Sequence, residues 1–356
     1  MTIAARDYFN TMNEGWLRAN AHGQPSENYY KIADIDFRIQ FAGAPLPVTL
    51  SWPFEHLRVS RAPAAGKYQQ TIRIWDVSKT GINMPPAPCA KSDFTARGEF
   101  KGFHDGRYYA AYQPLSRTLS VFDSDSGVTV ICIADFGRMP SYERAVPFRP
   151  VLGWIMPFHQ RQLVHAASVG TARGGLLIVG QGGAGKSNTA TGSLAGGLSF
   201  VSDDFCAVSN DMEPTVHSLY GTSRIHDNDW AALPYPKSNP EDPPSEKSLH
   251  YLQHHFPERL VSGYPLLGVL LPRKTGDASP TLSPAPLATA VVQMASQSAA
   301  MLPNAGGEVL SRLTRMLDGL PAYHLNLGTA PHQIPGLLKR LIEDLAMSRN
   351  RRPRTT

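Results

Sequence analysis

The segment Gly180-Gln181-Gly182-Gly183-Ala184-Gly185-Lys186-Ser187 constrains this chain more than any other stretch. It satisfies the pattern G-x-x-x-x-G-K-S/T in full, a pattern that works only where a strand runs into a tight loop and the loop opens a helix. Both flanks comply: the apolar run Gly175 to Val179 precedes it, Lys186 to Leu194 reads as helix, and Leu198 to Ser202 returns as strand. That order is the βαβ unit of an α/β fold. The glycines let consecutive backbone N–H groups turn inward around phosphate oxygens, and the helix N-terminus adds the positive end of its dipole. The segment, with Asn188 after it, is therefore expected to bind a nucleotide, Lys186 neutralising the β and γ phosphates and the Ser187 hydroxyl ligating Mg²⁺. A glycine-rich turn arising by chance is the competing account, and the flanking strand and helix weigh against it.

Downstream, the strand Leu198 to Ser202 leads into Asp203-Asp204. Two carboxylates at the end of a strand expected beside the loop strand can supply a magnesium partner and a group that accepts a hydroxyl proton. Adjacent like charges raise each other's pKa unless a cation intervenes, so the pair makes most sense with Mg²⁺. The plainer alternative is a capped turn.

With Leu163-Val164-His165-Ala166-Ala167-Ser168-Val169 upstream, the loop in the middle and Phe200-Val201-Ser202-Asp203-Asp204 downstream, the segment resembles the catalytic core of HPr kinase/phosphorylase. The separations from His165 to Lys186 and from Lys186 to Asp204 agree with that family without a gap. The resemblance implies an α/β P-loop kinase domain of HPr kinase type that uses ATP and Mg²⁺. In it Gly180 to Ser187 form the ATP loop, with Lys186 the catalytic lysine, Ser187 the magnesium ligand and Asp204 the group that takes the acceptor's proton. Asp203 would support the metal, and His165 would orient the aspartate or touch phosphate oxygens. The likeness covers residues 160 to 210 closely and 211 to 345 loosely. No counterpart is found of the family segment that carries a further arginine and a second metal-binding glutamate, so neither phosphorolytic reversal nor the carrier HPr is implied.

At 356 residues the chain is long enough for two domains. An apolar share of 42% against 18% charged residues excludes wholesale disorder. Residues 29 to 145 read as β-rich: Ile35, Phe37, Ile39 and Phe41 alternate onto one strand face, Thr71 to Val77 repeats the pattern, and Leu119 to Phe122 with Val128 to Ile133 flank a turn-forming cluster as a hairpin. A junction with three prolines follows at 142 to 160. The expected division is a β-rich (α+β) N-terminal domain over 1–150, for acceptor recognition or assembly, and a catalytic domain over 151–347. A surface loop is expected around Pro234 to Pro244, a second breaker-rich stretch covers Pro272 to Pro286, and a terminal helix is expected over Pro335 to Met347.

Residues 348–356 read as a disordered arginine-rich tail. Arg349, Arg351, Arg352 and Arg354 account for four of the five net positive charges, so no nucleic-acid or membrane partner is inferred. Cys89, Cys132 and Cys206 have neither disulfide nor zinc spacing. With no signal-peptide core and no stretch of about 18 apolar residues, a cytoplasmic location is the expectation. Further site candidates are Arg224 as a phosphate clamp, against an exposed structural arginine, and Lys247, against a solvated lysine. His250 and His254 are spaced for one helix face but have no third ligand.

The leading functional reading is transfer of the γ-phosphate to a serine or threonine hydroxyl of a protein or peptide. The alternatives are a small-molecule kinase, for example of free serine, and a regulatory module that hydrolyses ATP slowly. Family resemblance suggests a homo-oligomer.

Overall fold

The computed structural model describes residues 4–21, 25–43, 48–60, 69–209, 213–226, 229, 247–301 and 307–350. The chain divides into two compact units, Met1–His159 and Gln160–Thr356.

In the first unit, helix α1 (Ala5–Asn20) precedes strands β1 (Ser26–Ile32), β2 (Ile35–Phe41), β3 (Gln70–Asp76), β4 (Tyr108–Gln113), β5 (Thr118–Asp123) and β6 (Val128–Ile133), and helix α2 (Arg149–Phe158) closes it. The strands form one mixed sheet in the order β1-β2-β3-β6-β5-β4. Ile35, Phe37, Ile39 and Phe41 are all buried, as their alternation requires. The β5–β6 hairpin is antiparallel, with Asp123 opposite Val128 and Gly127 at φ +64° in the turn. Helix α1, which the β-rich reading did not anticipate, buries Tyr8, Met12, Trp16 and Ala19 at helical spacing. They join Trp75, Phe100, Val121, Val130 and Cys132 in one core.

The boundary falls after His159 rather than at 150, because packing assigns α2 to the first unit. Trp154 meets the rings of His104 and Tyr109, and Phe158 stands edge-on to Tyr109 and Phe122.

The second unit runs β7 (Arg161–His165), β8 (Ala167–Thr171), β9 (Gly174–Ile178), α3 (Lys186–Ala195), β10 (Ser199–Ser202), β11 (Phe205–Ser209), β12 (Thr215–Ser218), β13 (Thr222–Ile225), β14 (Ser248–Tyr251), β15 (Gly263–Arg273), β16 (Thr281–Ala285), α4 (Leu287–Met301), α5 (Gly307–Leu317), β17 (Ala322–Asn326) and α6 (Ile334–Asn350). The main sheet follows β10-β8-β9-β15-β12-β11-β7, with β17 on β15 and β16 on β17; β13 and β14 form a separate ribbon. Strand β9 is buried on both faces, which explains its unbroken apolar run. Leu176 and Ile178 face a cluster with Ala190 and Leu194 of α3 and Leu338 and Ile342 of α6. Leu177 packs the other way, with Ala290 and Met294 of α4 and Leu313 and Leu317 of α5. Mixed α/β architecture is thus established, with a sheet covered by helices on two faces.

Several sequence expectations change. Strand β10 is not beside β9: it pairs antiparallel with β8, and β8 pairs antiparallel with β9, so β8 occupies the place next to the loop strand. The span Pro272 to Pro286 holds the end of β15 and all of β16, with a loop over 274–280 between them. Pro272 lies past Leu270, which faces the last residue of β9, and Pro284 sits on β16, which among the described residues pairs only with β17, so neither strand needs the missing N–H on its open side. Residues 348–350 are helical rather than disordered, since no breaker precedes Pro353 and Arg349 reaches Glu213 at 3.3 Å. The expected loop at Pro234 to Pro244 and the remaining tail lie outside the described residues. No described helix is long and apolar enough to cross a membrane.

Candidate functional site

Between β9 and α3 the chain turns sharply, with Gly183 at φ +79° and Gly185 at φ +104°, where side chains are strained. Gly185 starts the helix, and a Cβ there would lie 2.6 Å from Leu327 Cδ1. Gly182 differs. Its φ lies outside the left-handed region, and a Cβ would meet nothing within 4 Å among the described residues. Neither backbone conformation nor packing requires glycine there, which leaves open space over the loop. The Ala184 N–H donates to the Gln181 carbonyl at 3.1 Å, and Thr189 N–H, the first full helical bond, to Gly185 O at 2.9 Å.

Lys186 folds back over this loop, its Nζ donating to Gly180 O at 2.7 Å and to Gln181 O at 3.4 Å. Only 7% of the residue is exposed. Burial pulls its pKa down, Asp204 and Asp203 push it back up, and the charge of Lys247 lowers it again. Both aspartates are therefore close enough to act on the lysine, although β8 separates their strand from the loop strand.

The aspartates occupy the bend between β10 and β11 and have different surroundings. Asp203 is buried. Its Oδ2 accepts from the Ser223 hydroxyl at 2.7 Å and from the Arg224 backbone N–H at 3.1 Å, and Ser223 Oγ also lies 3.1 Å from Thr191 Oγ1 of α3. Its Oδ1 has no hydrogen-bond partner among the described residues. Burial raises the Asp203 pKa, the nearby Ser187 hydroxyl lowers it, Asp204 raises it, and Ser223 and the Arg224 N–H lower it. Ser187 thus acts on Asp203 from close by, without a hydrogen bond of good geometry to Oδ1.

The side chain of Asp204 is 44% exposed, and its Oδ1 lies 2.7 Å from His165 Nε2. Sheet pairing makes this contact: Phe205 of β11 sits opposite His165 of β7, and the two rings stack at 5.0 Å. The His165 backbone N–H donates to Ser298 Oγ of α4 at 3.2 Å. His165 therefore ends β7, one residue before β8 begins. The imidazole is almost wholly enclosed and its Nδ1 has no partner among the described residues, so Nε2 is the nitrogen committed to the carboxylate.

The structure thus brings together His165, Lys186, Ser187, Asp203 and Asp204. Lys247 is half-buried and close enough to Lys186 to act on it, in place of the solvated lysine weighed above. Arg224 serves Asp203 through its backbone N–H. His250 lies on β14 and His254 in the 3₁₀ turn after it, so no helix face joins them. No group of three or more His, Cys, Asp or Glu side chains suited to a metal forms among the described residues. Sequence reasoning missed the roles of Ser223, Thr191, Phe205 and Ser298, because only strand pairing and helix packing place them here.

No family model matches the chain, and no curated protein matches it in sequence. Among solved structures, the Hpr(Ser) kinase/phosphatase from Coxiella burnetii is similar with a TM-score of 0.31 and 12% identity, over 53% of this chain and 99% of that one. That likeness is a distant one of fold and bears on neither substrate nor chemistry.

Proposed function

We propose that the chain is an ATP- and Mg²⁺-dependent phosphotransferase acting on a hydroxyl acceptor, a serine or threonine of a protein or peptide. One observation carries the reading: groups far apart in sequence, His165, Lys186 with Ser187, and Asp203-Asp204, converge on one glycine loop whose Gly182 leaves space that the fold does not need. The residues suit a hard cation, since a buried carboxylate oxygen without a partner and a hydroxyl beside it are oxygen ligands of the kind magnesium takes along with several waters. Asp203 and Ser187 would hold it, and bound there it would offset the charge of the phosphates. Gly180, Gln181, Gly182, Gly183, Ala184, Gly185 and Asn188 would surround the phosphates, with Lys186 turning from its two carbonyls toward them.

Asp204 is the exposed member of the pair and the one within reach of an arriving acceptor. It would take the hydroxyl proton as the acceptor oxygen bonds to the γ-phosphorus and the bond to ADP breaks, ADP leaving with that electron pair. His165, bonded to Oδ1, positions the carboxylate.

Incubation with γ-labelled ATP and a mixture of peptides and free hydroxy amino acids tests the reading. Label in a peptide supports it, label in a free amino acid moves the assignment to a small-molecule kinase, and label only in inorganic phosphate refutes transfer. Asp204→Asn should lower turnover about 10²–10⁴-fold with nucleotide affinity almost unchanged.

A further inference from the structure

In the first unit, strand pairing gathers polar side chains on the sheet face that carries α1. The register sets Tyr29 of β1 against Arg38 of β2, Arg38 against Thr71 of β3, and Gln40 against Arg73. Residues two apart on a strand share a face, so Arg38, Arg73 and Trp75 lie on the same side. Helix α1 packs on β3 to β6 and buries Trp75 there together with Trp16. Over β1 and β2 the face is more open: Glu27 and Lys31 are exposed, and Tyr29 and Arg38 are half-buried.

The charges on this face are not matched to one another. Arg73 is half-buried, and its hydrogen-bond and ring partners among the described residues are neutral: Nη1 donates to Asn13 Oδ1 at 2.6 Å, and the guanidinium lies 4.9 Å from the centre of the Trp16 ring. Burial lowers the Arg73 pKa, and the charge of Arg38 on the neighbouring strand lowers it further. Glu27, the carboxylate nearest in register, accepts from the Tyr29 hydroxyl at 2.8 Å and from the Gln40 amide, and forms no ion pair among the described residues. Lys31 and Asp36 offset each other at 3.9 Å. A half-buried cation beside a like charge and without a counter-ion loses solvation and gains no attraction in return, so stability alone does not account for Arg73. Leu17, 51% exposed, follows Asn13 by one turn on the same flank of α1 and sets an apolar group beside the two cations.

We propose that this face of the first unit is a docking surface for an acidic peptide segment of a protein partner, with a carboxylate seated on Arg73 and Arg38 and an apolar side chain against Leu17. The inference goes beyond the phosphotransferase reading and does not rest on it. Charge complementarity selects the occupant: the carboxylate supplies the counter-ion that the fold withholds from Arg73, and guanidinium groups take carboxylates through paired, charge-assisted hydrogen bonds. The exposed leucine beside them commits the site to a peptide, since an inorganic anion has nothing to place there.

Fluorescence anisotropy on the full chain tests it, with a labelled peptide that alternates glutamate and leucine, the same peptide with glutamine in place of glutamate, and inorganic phosphate as competitor. The wild type should bind the glutamate peptide at least about tenfold more tightly than the glutamine peptide. Arg73→Gln and Arg38→Gln should each remove most of that preference, and Leu17→Ala should weaken both peptides severalfold. Since Arg73→Gln also relieves a repulsion, its Tm should stay within a few degrees of the wild type; a much lower Tm with the preference retained would make Arg73 a structural residue and overturn the site. Equal binding of the two peptides by the wild type overturns it as well, as does displacement of the glutamate peptide by an equal concentration of phosphate, which marks an adventitious ion only. Hydrogen exchange on the wild type needs no variant: added protection by the glutamate peptide in α1 and the β1–β2 hairpin supports the site, and protection confined elsewhere refutes it. None of these outcomes bears on nucleotide binding by the second unit.

Discussion

Gly182→Ala adds one methyl group at a place where the described protein has no atom within 4 Å of it and where φ is not left-handed. For the fold the change is mild. Alanine at a compatible φ restricts the unfolded chain and stabilises by about 0.4–1 kcal/mol. In a unit of this size, that raises Tm by roughly 1–4 °C. For a phosphate over the loop the same methyl is an obstacle. A hydrogen bond from a backbone N–H to a charged phosphate oxygen contributes about 1.5–3 kcal/mol. Holding the phosphate off even one such donor weakens binding roughly 10- to 100-fold. Gly185→Ala should behave in the opposite way, since φ +104° there strains alanine by about 1–3 kcal/mol. Contact at 2.6 Å with the rotatable end of Leu327 adds a little more. Thermal melts of both variants without ligand, with calorimetry against ATP and magnesium, separate the two. The reasoning fails if Gly182→Ala melts several degrees below wild type, or if it keeps full nucleotide affinity.

Ser223→Ala removes the 2.7 Å bond to buried Asp203 and should cost about 1–3 kcal/mol and raise the magnesium needed for nucleotide binding. An unchanged Tm together with an unchanged magnesium titration would contradict it. In the first unit, burial lowers the His56 pKa from 6.5 to about 4. Between those values the unfolded chain binds a proton that the folded chain does not, so stability is complete above pH 6.5 and declines toward pH 4, by about 2–3 kcal/mol. His56→Gln should flatten that slope in denaturant midpoints recorded at pH 7 and 4.5, and equal slopes in both proteins would refute it. A truncated protein beginning at Gln160 should fold and bind nucleotide while losing its natural acceptor, because the second unit has its own clusters around Leu177 and Leu176. An insoluble product would mean that the two units share one core.

How much of this could be read from the chain depended on how local each determinant is. The turn at Gly180 to Gly185 and the helix after it follow from φ preferences, a positive-φ glycine at the helix start and an apolar run before it, all within about fifteen residues. Alternation at Ile35 to Phe41 and the hairpin around Gly127 were legible for the same reason. The allegiance of α2 was not, since its sequence states only that Trp154 must be buried, and the rings that Trp154 and the half-exposed Phe158 meet lie on β4 and β5. Strand order was equally hidden: the spacing of Leu198 to Ser202 from the loop suits an adjacent strand, yet β8, joined to β9 in a tighter hairpin, takes that place. The motif matches marked His165 and the two aspartates as candidates and the resemblance implied separate roles for the two carboxylates, but the difference in their surroundings came from tertiary contacts. Pairing of β11 with β7 sets His165 against Asp204, and the β13 strand brings Ser223 and the Arg224 N–H to Asp203. One carboxylate is thereby buried and hydrogen-bonded while its neighbour stays exposed, a difference that adjacent identical residues cannot encode, because it resides in the elements packed around them.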